Sequence, residues 1–223
     1  MPAGVRSGRP RDLEDALSYL PRKAATHYRR GELIYDEHQP ASEIYLVLSG
    51  RVKVSIPEAA GAHSVVGIFS AGQFFGERGL LDLPSRGELA LALENTAAVS
   101  WNIPEVEQSV EREPRLGLVL AQMLVDRCLD LQDRVEGLAL YKTPQRVAWS
   151  LLRFAERLGV KEEDGAVRMP PLTHQLLAEY IGTSREIVTF QMNQLRRQGF
   201  LRYSRKAIYV YKEALEERMS QPW

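Results

Sequence analysis

The sequence has very little cysteine and no long apolar run. Its 223 residues include one cysteine, Cys128. A single cysteine excludes an intramolecular disulfide, and it excludes a cluster of cysteines that would hold zinc or an iron–sulfur centre within one chain. No apolar stretch reaches the roughly 18 residues of a membrane span, and the N-terminal residues lack the apolar core of a signal peptide. We therefore expect a cytoplasmic chain with no membrane partner.

Signs of enzyme chemistry are equally scarce. The sequence contains no recognisable nucleophile–base pair and no phosphate loop of the form G-x-x-x-x-G-K. A cupin-like metalloenzyme would need converging ligands, commonly a His-x-His pair, whereas the histidines stand singly at His27, His38, His63 and His174. A lone histidine in a strand or loop is usually a surface or packing residue rather than a haem ligand. The sequence therefore predicts neither an enzyme nor a metal site.

The formal net charge is zero, but the charge is unevenly distributed. Residues 1–141 contain 15 basic and 20 acidic side chains, whereas residues 142–223 contain 14 and 9, so the net charges are −5 and +5. A basic C-terminal module attached to an acidic one is the pattern expected if only the second half of the chain contacts phosphate.

The first half is rich in short apolar segments. Ile44–Leu48 and Val52–Ile56 flank Ser49-Gly-Arg51, which is the spacing of two strands joined by a tight turn, as in a hairpin. Further strands are expected at Val65–Phe69, Phe74–Phe75 and Ala97–Trp101. Short strands at this spacing predict a small barrel or sandwich. A short amphipathic helix over residues 12–23 is expected to precede them.

From about Pro104 the period of the apolar residues changes to that of a helix. They recur at steps of four and three with charged residues between them, at Leu124, Cys128, Leu131, Val135 and Leu138. This heptad pattern predicts a long helix whose seam pairs two chains in a parallel homodimer. In an alternative interpretation, the same helix face packs on its own barrel. In either case Cys128 is expected to be a packing residue. The charged flanking positions favour the dimer.

The most informative stretch follows a helix predicted over Pro144–Leu158. Thr173–Ile181 has the pattern of a short helix, and Gly182 suits a left-handed turn. Thr183-Ser-Arg-Glu186 has the form of a capping box that opens a second helix. This is the spacing of a helix-turn-helix.

Two strands are expected after the second helix, at Gly199–Tyr203 and Ala207–Tyr211, around the basic turn Ser204-Arg-Lys206. On the helix itself, one face is apolar, formed by Val188, Met192 and Leu195. The residues predicted to point away from that face are Glu186, Thr189, Phe190, Asn193 and Arg197. A solvent-facing Phe190 needs an apolar partner, which a thymine methyl in the major groove would supply.

Four segments resemble signature segments of the CRP/FNR superfamily of bacterial transcription regulators. They are Arg30–Ile34, Ile44–Val54, Gly72–Glu77 and Leu176–Glu186. The resemblance implies an α+β chain and a homodimer that binds palindromic promoter DNA, with RNA polymerase as a further partner. The implied parts are a β-roll (jelly-roll) sensor domain of the cyclic-nucleotide-binding type with an N-terminal helix (1–111), a long central dimerisation helix (112–141) and a winged helix-turn-helix (142–223). A cyclic-nucleotide module with another output, as in kinase regulatory subunits or channels, would not need the winged helix.

The resemblance also implies roles for individual residues. By position, Arg185 and Glu186 resemble the family's base-reading pair, Ser184 a phosphate contact, and Ser204 and Lys206 wing contacts to the DNA backbone. Arginine can donate two hydrogen bonds to guanine O6 and N7, and glutamate can accept a hydrogen bond from cytosine N4. A competing interpretation makes Glu186 a capping side chain and Arg185 a solvated charge. The predicted DNA-binding set is Thr183, Ser184, Arg185, Glu186, Thr189, Phe190, Asn193, Arg197, Ser204 and Lys206.

The implied effector pocket departs from the family's pattern. Gly76-Glu77 resembles the pair that holds the ribose of a cyclic nucleotide, but Arg86 matches the phosphate-binding arginine only after a one-residue shift in its loop. The Thr-Ser pair that meets adenine in cyclic AMP-binding members falls at Leu131-Gln132, and leucine cannot donate a hydrogen bond to a purine. We therefore expect regulation that does not depend on cyclic AMP. The alternative is a cyclic-nucleotide-responsive regulator that uses this pocket.

Overall fold

The computed structural model describes residues 16–58, 61 and 63–221. These residues form two compact units, 16–130 and 131–221. The N-terminal segment, in which no signal peptide is expected, and residues 12–15 of the predicted first helix lie outside the described ranges. For the described residues 16–23 the predicted helix is wrong, because they contain only a 3-10 turn at Ala16–Ser18.

The described part of the first unit contains eight strands in two antiparallel sheets. The strands are β1 (Thr26–Tyr28), β2 (Leu33–Tyr35), β3 (Glu43–Ser49), β4 (Arg51–Pro57), β5 (His63–Ser70), β6 (Phe74–Phe75), β7 (Leu89–Ala92) and β8 (Thr96–Asn102). One sheet has the order β1-β8-β3-β6 and the other the order β2-β7-β4-β5. This arrangement is the predicted β-roll.

Strand β3 is apolar along most of its length because both of its faces are buried. Tyr45 and Val47 belong to a core cluster with residues of the opposite sheet, such as Val52. Ile44 and Leu46 belong to a second cluster that includes residues of the following helices. A strand buried on both sides shows no polar alternation, which is why the sequence reads there as a continuous apolar run.

The two strands around Gly50 are present, but their predicted hairpin pairing is wrong. Strand β3 pairs with β6 and β8, whereas β4 pairs with β5 and β7, so the chain passes from one sheet to the other at this turn. Gly50 has φ +82°, and a Cβ at this position would lie 2.5 Å from Thr96 Oγ1. Both the backbone conformation and the close approach therefore require glycine.

Two helices follow the sheets, α1 (Ile103–Arg112) and α2 (Arg115–Leu140). Helix α1 opens with a capping box, in which Asn102 Oδ1 accepts from the Glu105 N–H at 2.9 Å and the Glu105 carboxylate accepts from the Asn102 N–H. The beginning of α2 packs on the second core cluster. The boundary between the two units falls within α2, after residue 130. The division into parts at residues 111/112 and 141/142 stays a prediction.

The second unit contains the rest of α2 and a small helical domain with a sheet. Its further elements are α3 (Thr143–Leu158), β9 (Val160–Lys161), β10 (Val167–Met169), α4 (His174–Ile181), α5 (Arg185–Arg197), β11 (Leu201–Tyr203), β12 (Ile208–Val210) and α6 (Lys212–Met219). The sheet order is β11-β12-β10-β9, which gives the predicted winged helix-turn-helix. Strands β9 and β10 lie in the connection between α3 and α4, where β10 pairs with both β9 and β12.

Candidate nucleic-acid interface and sensor pocket

The turn between α4 and α5 has the geometry of a helix-turn-helix. Thr173 caps α4 by accepting a hydrogen bond from the Leu176 N–H. The helix ends at Gly182, which has φ 72° and ψ 52° and whose N–H donates to the Ala178 carbonyl. The prediction of a left-handed glycine at this turn is confirmed, since only glycine enters this conformation freely.

The predicted capping box at the start of α5 is wrong by one residue. Ser184 is the N-cap, and its Oγ accepts from the Ile187 N–H at 3.3 Å. Glu186 therefore stands too early in the helix to complete a capping box. Hydrogen bonds from its own backbone N–H and from the Ser184 hydroxyl hold the pKa of Glu186 below its usual value. The carboxylate is fully exposed and ionised at neutral pH, so it is available as a hydrogen-bond acceptor.

Helix α5 has a buried apolar face and an exposed charged face, as predicted. Val188, Met192 and Leu195 are buried. Of the residues predicted to contact DNA, the following are exposed on this helix and its turn: Ser184, Arg185, Glu186, Phe190 and Arg197. Ile187 is 42% exposed and Phe190 is 58% exposed. The sequence analysis does not select Ile187, although its place beside Phe190 on the helical wheel, three residues away, indicates its exposure.

The two polar residues Thr189 and Asn193 are half-buried and have partners within the chain. Thr189 Oγ1 donates to the Arg185 carbonyl at 2.8 Å and lies 2.8 Å from His174 Nδ1. The Tyr203 hydroxyl donates to Asn193 Oδ1 at 3.2 Å. These bonds connect α5 to α4 and to the wing, so both side chains help to position the helix. Thr183 is likewise half-buried.

The wing presents a basic turn between β11 and β12. The Ser204 Oγ accepts from the Lys206 N–H at 3.1 Å, and the Ser204 N–H donates to the Ala207 carbonyl at 2.9 Å. The turn is thus closed by local hydrogen bonds, and Arg205 and Lys206 are exposed at its tip. Arg205 is a basic residue of this surface that the predicted set omitted, although it stands in the same basic turn.

Among the residues predicted for the effector pocket, Arg86 is only 2% exposed. Its Nη2 donates to the Glu43 carbonyl at 2.9 Å, and its guanidinium carbon lies 4.0 Å from the centre of the Tyr35 ring. Its Nη1 is buried and has no hydrogen-bond partner within the described ranges. A Cβ added at Gly76 would lie 3.2 Å from this Nη1. The structure therefore brings the predicted residues Gly76 and Arg86 together, around a buried donor that lacks a hydrogen-bond partner within the described residues.

Glu77, the third predicted pocket residue of this unit, faces an arginine from α2. The Arg127 Nε lies 3.5 Å from Glu77 Oε1. The Arg127 Nη2 also donates to the Val66 carbonyl at 2.8 Å, and its guanidinium stacks near the Phe69 ring. Sequence reasoning missed Arg127, because 50 residues separate it from Glu77. The predicted residues Leu131 and Gln132 are exposed and belong to the second unit.

A buried glutamate completes the polar interior of the β-roll. The Tyr35 hydroxyl donates to Glu88 Oε1 at 3.0 Å. Burial raises the pKa of the Glu88 carboxyl above its usual value. Sequence reasoning did not select Glu88, since a single glutamate beside Arg86 carries no recognisable pattern.

The predicted seam residues of α2 are exposed in the single chain. They are Leu124, Cys128, Leu131, Val135 and Leu138. In the first unit, the residues of α2 that pack on the β-roll are others, Leu116, Val119 and Leu120. Within the first unit, the seam residues Leu124 and Cys128 are therefore not among those that pack on the β-roll.

The part of the chain that the structure describes has no cluster of metal-binding side chains and no helix of membrane-spanning character. Within it, no three side chains of histidine, cysteine, aspartate or glutamate lie close enough together to hold a metal ion. None of the helices described has the length and apolar character needed to cross a membrane.

Comparison with known proteins gives consistent matches over both units. The cyclic nucleotide-binding domain family matches residues 25–113, and the Crp-like helix-turn-helix domain family matches residues 145–218. The chain is 27% identical over 211 residues to the cyclic AMP receptor protein of Thermus thermophilus, covering 95% of this chain and 93% of that protein. It is 30% identical over 187 residues to the global nitrogen regulator of a Nostoc species, covering 83% and 84%. A transcriptional regulator of the CRP/FNR family from Thermus thermophilus has a similar solved structure, with a TM-score of 0.72, 27% identity and coverage of 89% and 99%.

Proposed function

The chain belongs to the CRP/FNR family of transcription regulators, and from this membership we propose that it is a homodimer that reads a palindromic promoter site through α5. One observation carries this proposal. The exposed face of α5 presents Arg185, Glu186 and Arg197, and the wing, bonded to α5 through Tyr203 and Asn193, exposes Arg205 and Lys206. A recognition helix with base-reading side chains in its first turns, beside cations that meet phosphate, is the arrangement of a helix-turn-helix on DNA.

Two-fold symmetry follows from the way such a helix binds. Two α5 helices enter successive major grooves on one face of DNA only if a symmetry axis relates them. The exposed apolar seam of α2 supports a parallel pairing of two chains. We assign the homodimer contact to Leu124, Cys128, Leu131, Val135 and Leu138.

We further propose that DNA binding does not require cyclic AMP. Leu131 offers no hydrogen bond to a purine and adds apolar area to the seam, and both changes favour pairing of the central helices without a ligand. The second candidate function is a cyclic-nucleotide-responsive regulator. The free Arg86 Nη1 beside Gly76 favours it, because these two residues fit a phosphate group.

A regulator of this kind acts on DNA in the cytoplasm and has RNA polymerase as a further partner. We propose no catalytic activity, because the relatives that support the function are transcription regulators.

Selection of bound sequences from random duplex DNA tests the proposed function. We expect an enriched inverted repeat whose half-sites are about 10–10.5 base pairs apart, or a multiple of that spacing. The selection is run with and without cyclic AMP, and the same repeat is expected in both. Enrichment of no sequence, or of an asymmetric site that one chain occupies, would contradict the proposal.

A further inference from the structure

The DNA-facing side of α5 carries an apolar patch formed by Ile187 and Phe190. The two side chains are 42% and 58% exposed. They stand three residues apart, so they are neighbours on the helix surface. Large apolar side chains exposed together on a helix mark a contact with another molecule more often than a random surface does.

The surroundings of this patch indicate what covers it. Arg185, Arg197 and the wing residues Arg205 and Lys206 are exposed on the same DNA-binding domain. Such a concentration of cations suits a polyanion and disfavours an apolar protein surface. In the major groove of DNA, the apolar group within reach of a recognition helix is the C5 methyl of thymine.

On the premise that α5 reads DNA, we propose that Ile187 and Phe190 each contact a thymine methyl, and that each half-site therefore contains two thymines at defined positions. Neither side chain can form a hydrogen bond, so these positions are specified by methyl contact and shape alone. Arg185 and Glu186, which hydrogen-bond, specify other base pairs. Ile187 and Phe190 are thus specificity-determining residues.

Thymine analogues test this proposal on the site found by selection. Each thymine is replaced in turn by deoxyuridine, which lacks only the methyl. At two thymine positions of the half-site we expect the substitution to weaken binding. Replacing one such thymine in one half-site should lower the affinity about fourfold, and replacing the equivalent thymine in both half-sites should lower it about sixteenfold. These factors follow from about 0.8 kcal/mol per buried methyl-sized group. The analogue 5-bromouracil, whose bromine has about the size of a methyl, should restore the affinity.

Variants assign each methyl to a residue. Phe190→Ala should abolish the response to deoxyuridine at one thymine and leave the other unchanged, and Ile187→Ala should do the reverse, as in a double-mutant cycle. Both side chains are exposed, so we expect the variants to unfold at the temperature of the parent chain. Val160→Ala, at a similarly exposed valine in β9, serves as the control and should leave both responses intact.

The outcomes separate this proposal from the function on which it depends. If selection enriches no sequence, the proposed function fails. If a site is found but no deoxyuridine lowers the affinity, or if both responses persist in both variants, the methyl contacts are wrong. A change of oligomeric state in Phe190→Ala would also overturn the methyl contacts, because the patch would then be covered by another protein chain rather than by DNA.

Discussion

The polar side chains of the helix-turn-helix differ in whether they are hydrogen-bonded to groups of other elements of the chain. Thr189 and Asn193 have partners on α4 and on the wing. The Glu186 carboxylate has hydrogen bonds from groups of its own turn, yet it is fully exposed. We therefore expect Glu186 to contact a base, while Thr189 and Asn193 mainly position the helix.

Glu186 and Lys206 should differ in the kind of binding they support. Glu186→Ala should relax specificity at one base pair per half-site and weaken the selected site by about 1–3 kcal/mol per half-site. Lys206→Ala should weaken all sequences alike and lower the slope of log affinity against log salt by about 1 per half-site. Titrations of specific and random duplexes at several salt concentrations measure both effects.

The matched control for Glu186 is Glu213→Ala, which removes an exposed glutamate from the first turn of α6. This change should leave specificity intact. A uniform loss of affinity from both Glu186→Ala and Lys206→Ala would show that Glu186 does not contact a base.

His174 should make the stability of the fold depend on pH. Burial, with a smaller effect of Arg185, lowers the pKa of His174 below its usual value of 6.5. The unfolded chain therefore takes up this proton first as the pH falls. The stabilisation is fully present above about pH 6.5 and is lost as the pH decreases through the lower pKa of the folded state.

Thermal unfolding between pH 5 and pH 8 tests this expectation by comparing the parent chain with His174→Gln. The difference in melting temperature between the two chains should change most below about pH 6.5. A difference that stays constant over this range would mean that His174 does not titrate differently in the folded and unfolded states.

At the scale of the element, helix α2 has one apolar surface that is buried within the chain and another that is exposed. Leu116, Val119 and Leu120 are buried against the first unit. Beyond the predicted seam, Leu118, Val125 and Leu129 are also exposed. The exposed apolar surface of this helix is therefore wider than the heptad pattern indicated, as suits a helix that meets a second copy of itself.

Leu131→Asp and Val135→Asp should each convert the dimer to a monomer. Either substitution places like charges opposite each other across the two-fold axis. Loss of the second half-site should weaken DNA binding by about 10²–10⁴-fold, the usual range for avidity. Analytical ultracentrifugation and DNA titration measure the two effects.

Val160→Asp is the control for these variants, because Val160 in β9 is 59% exposed and Val135 is 65% exposed. It should remain dimeric. If the two seam variants sediment like this control, the seam is not the dimer contact.

At the scale of the whole molecule, the open question is whether a ligand in the β-roll controls binding by the helix-turn-helix. Glu77 faces Arg127, and Arg86 is stacked on Tyr35. A ribose hydroxyl would have to share Glu77 with a guanidinium that is already present. A phosphate would find one free Arg86 nitrogen.

Cyclic AMP should therefore have at most a small effect on the intact chain. Calorimetric titration of the free protein should give weak or no binding. DNA affinity measured with and without the nucleotide should differ by less than about fivefold, the lower end of typical allosteric coupling. Micromolar binding together with a large gain in DNA affinity would favour the cyclic-nucleotide-responsive alternative, with Glu77 and Arg86 as working ligands.

The sequence by itself determined the features that depend on local periodicity and turn chemistry. The buried face of α5, the left-handed Gly182 and the long α2 helix each arise within a few turns of the chain, so their patterns are visible in the order of residues. The exposed seam of α2 was visible for the same reason, since a heptad repeat needs no knowledge of distant residues.

Only the tertiary structure decided which distant groups meet. The sheet that each strand joins on either side of Gly50, the pairing of Glu77 with Arg127 and the bond from Tyr203 to Asn193 depend on contacts between separate elements. Such contacts leave no periodic trace in the sequence, because each is set by packing and by the hydrogen-bond geometry of the folded chain.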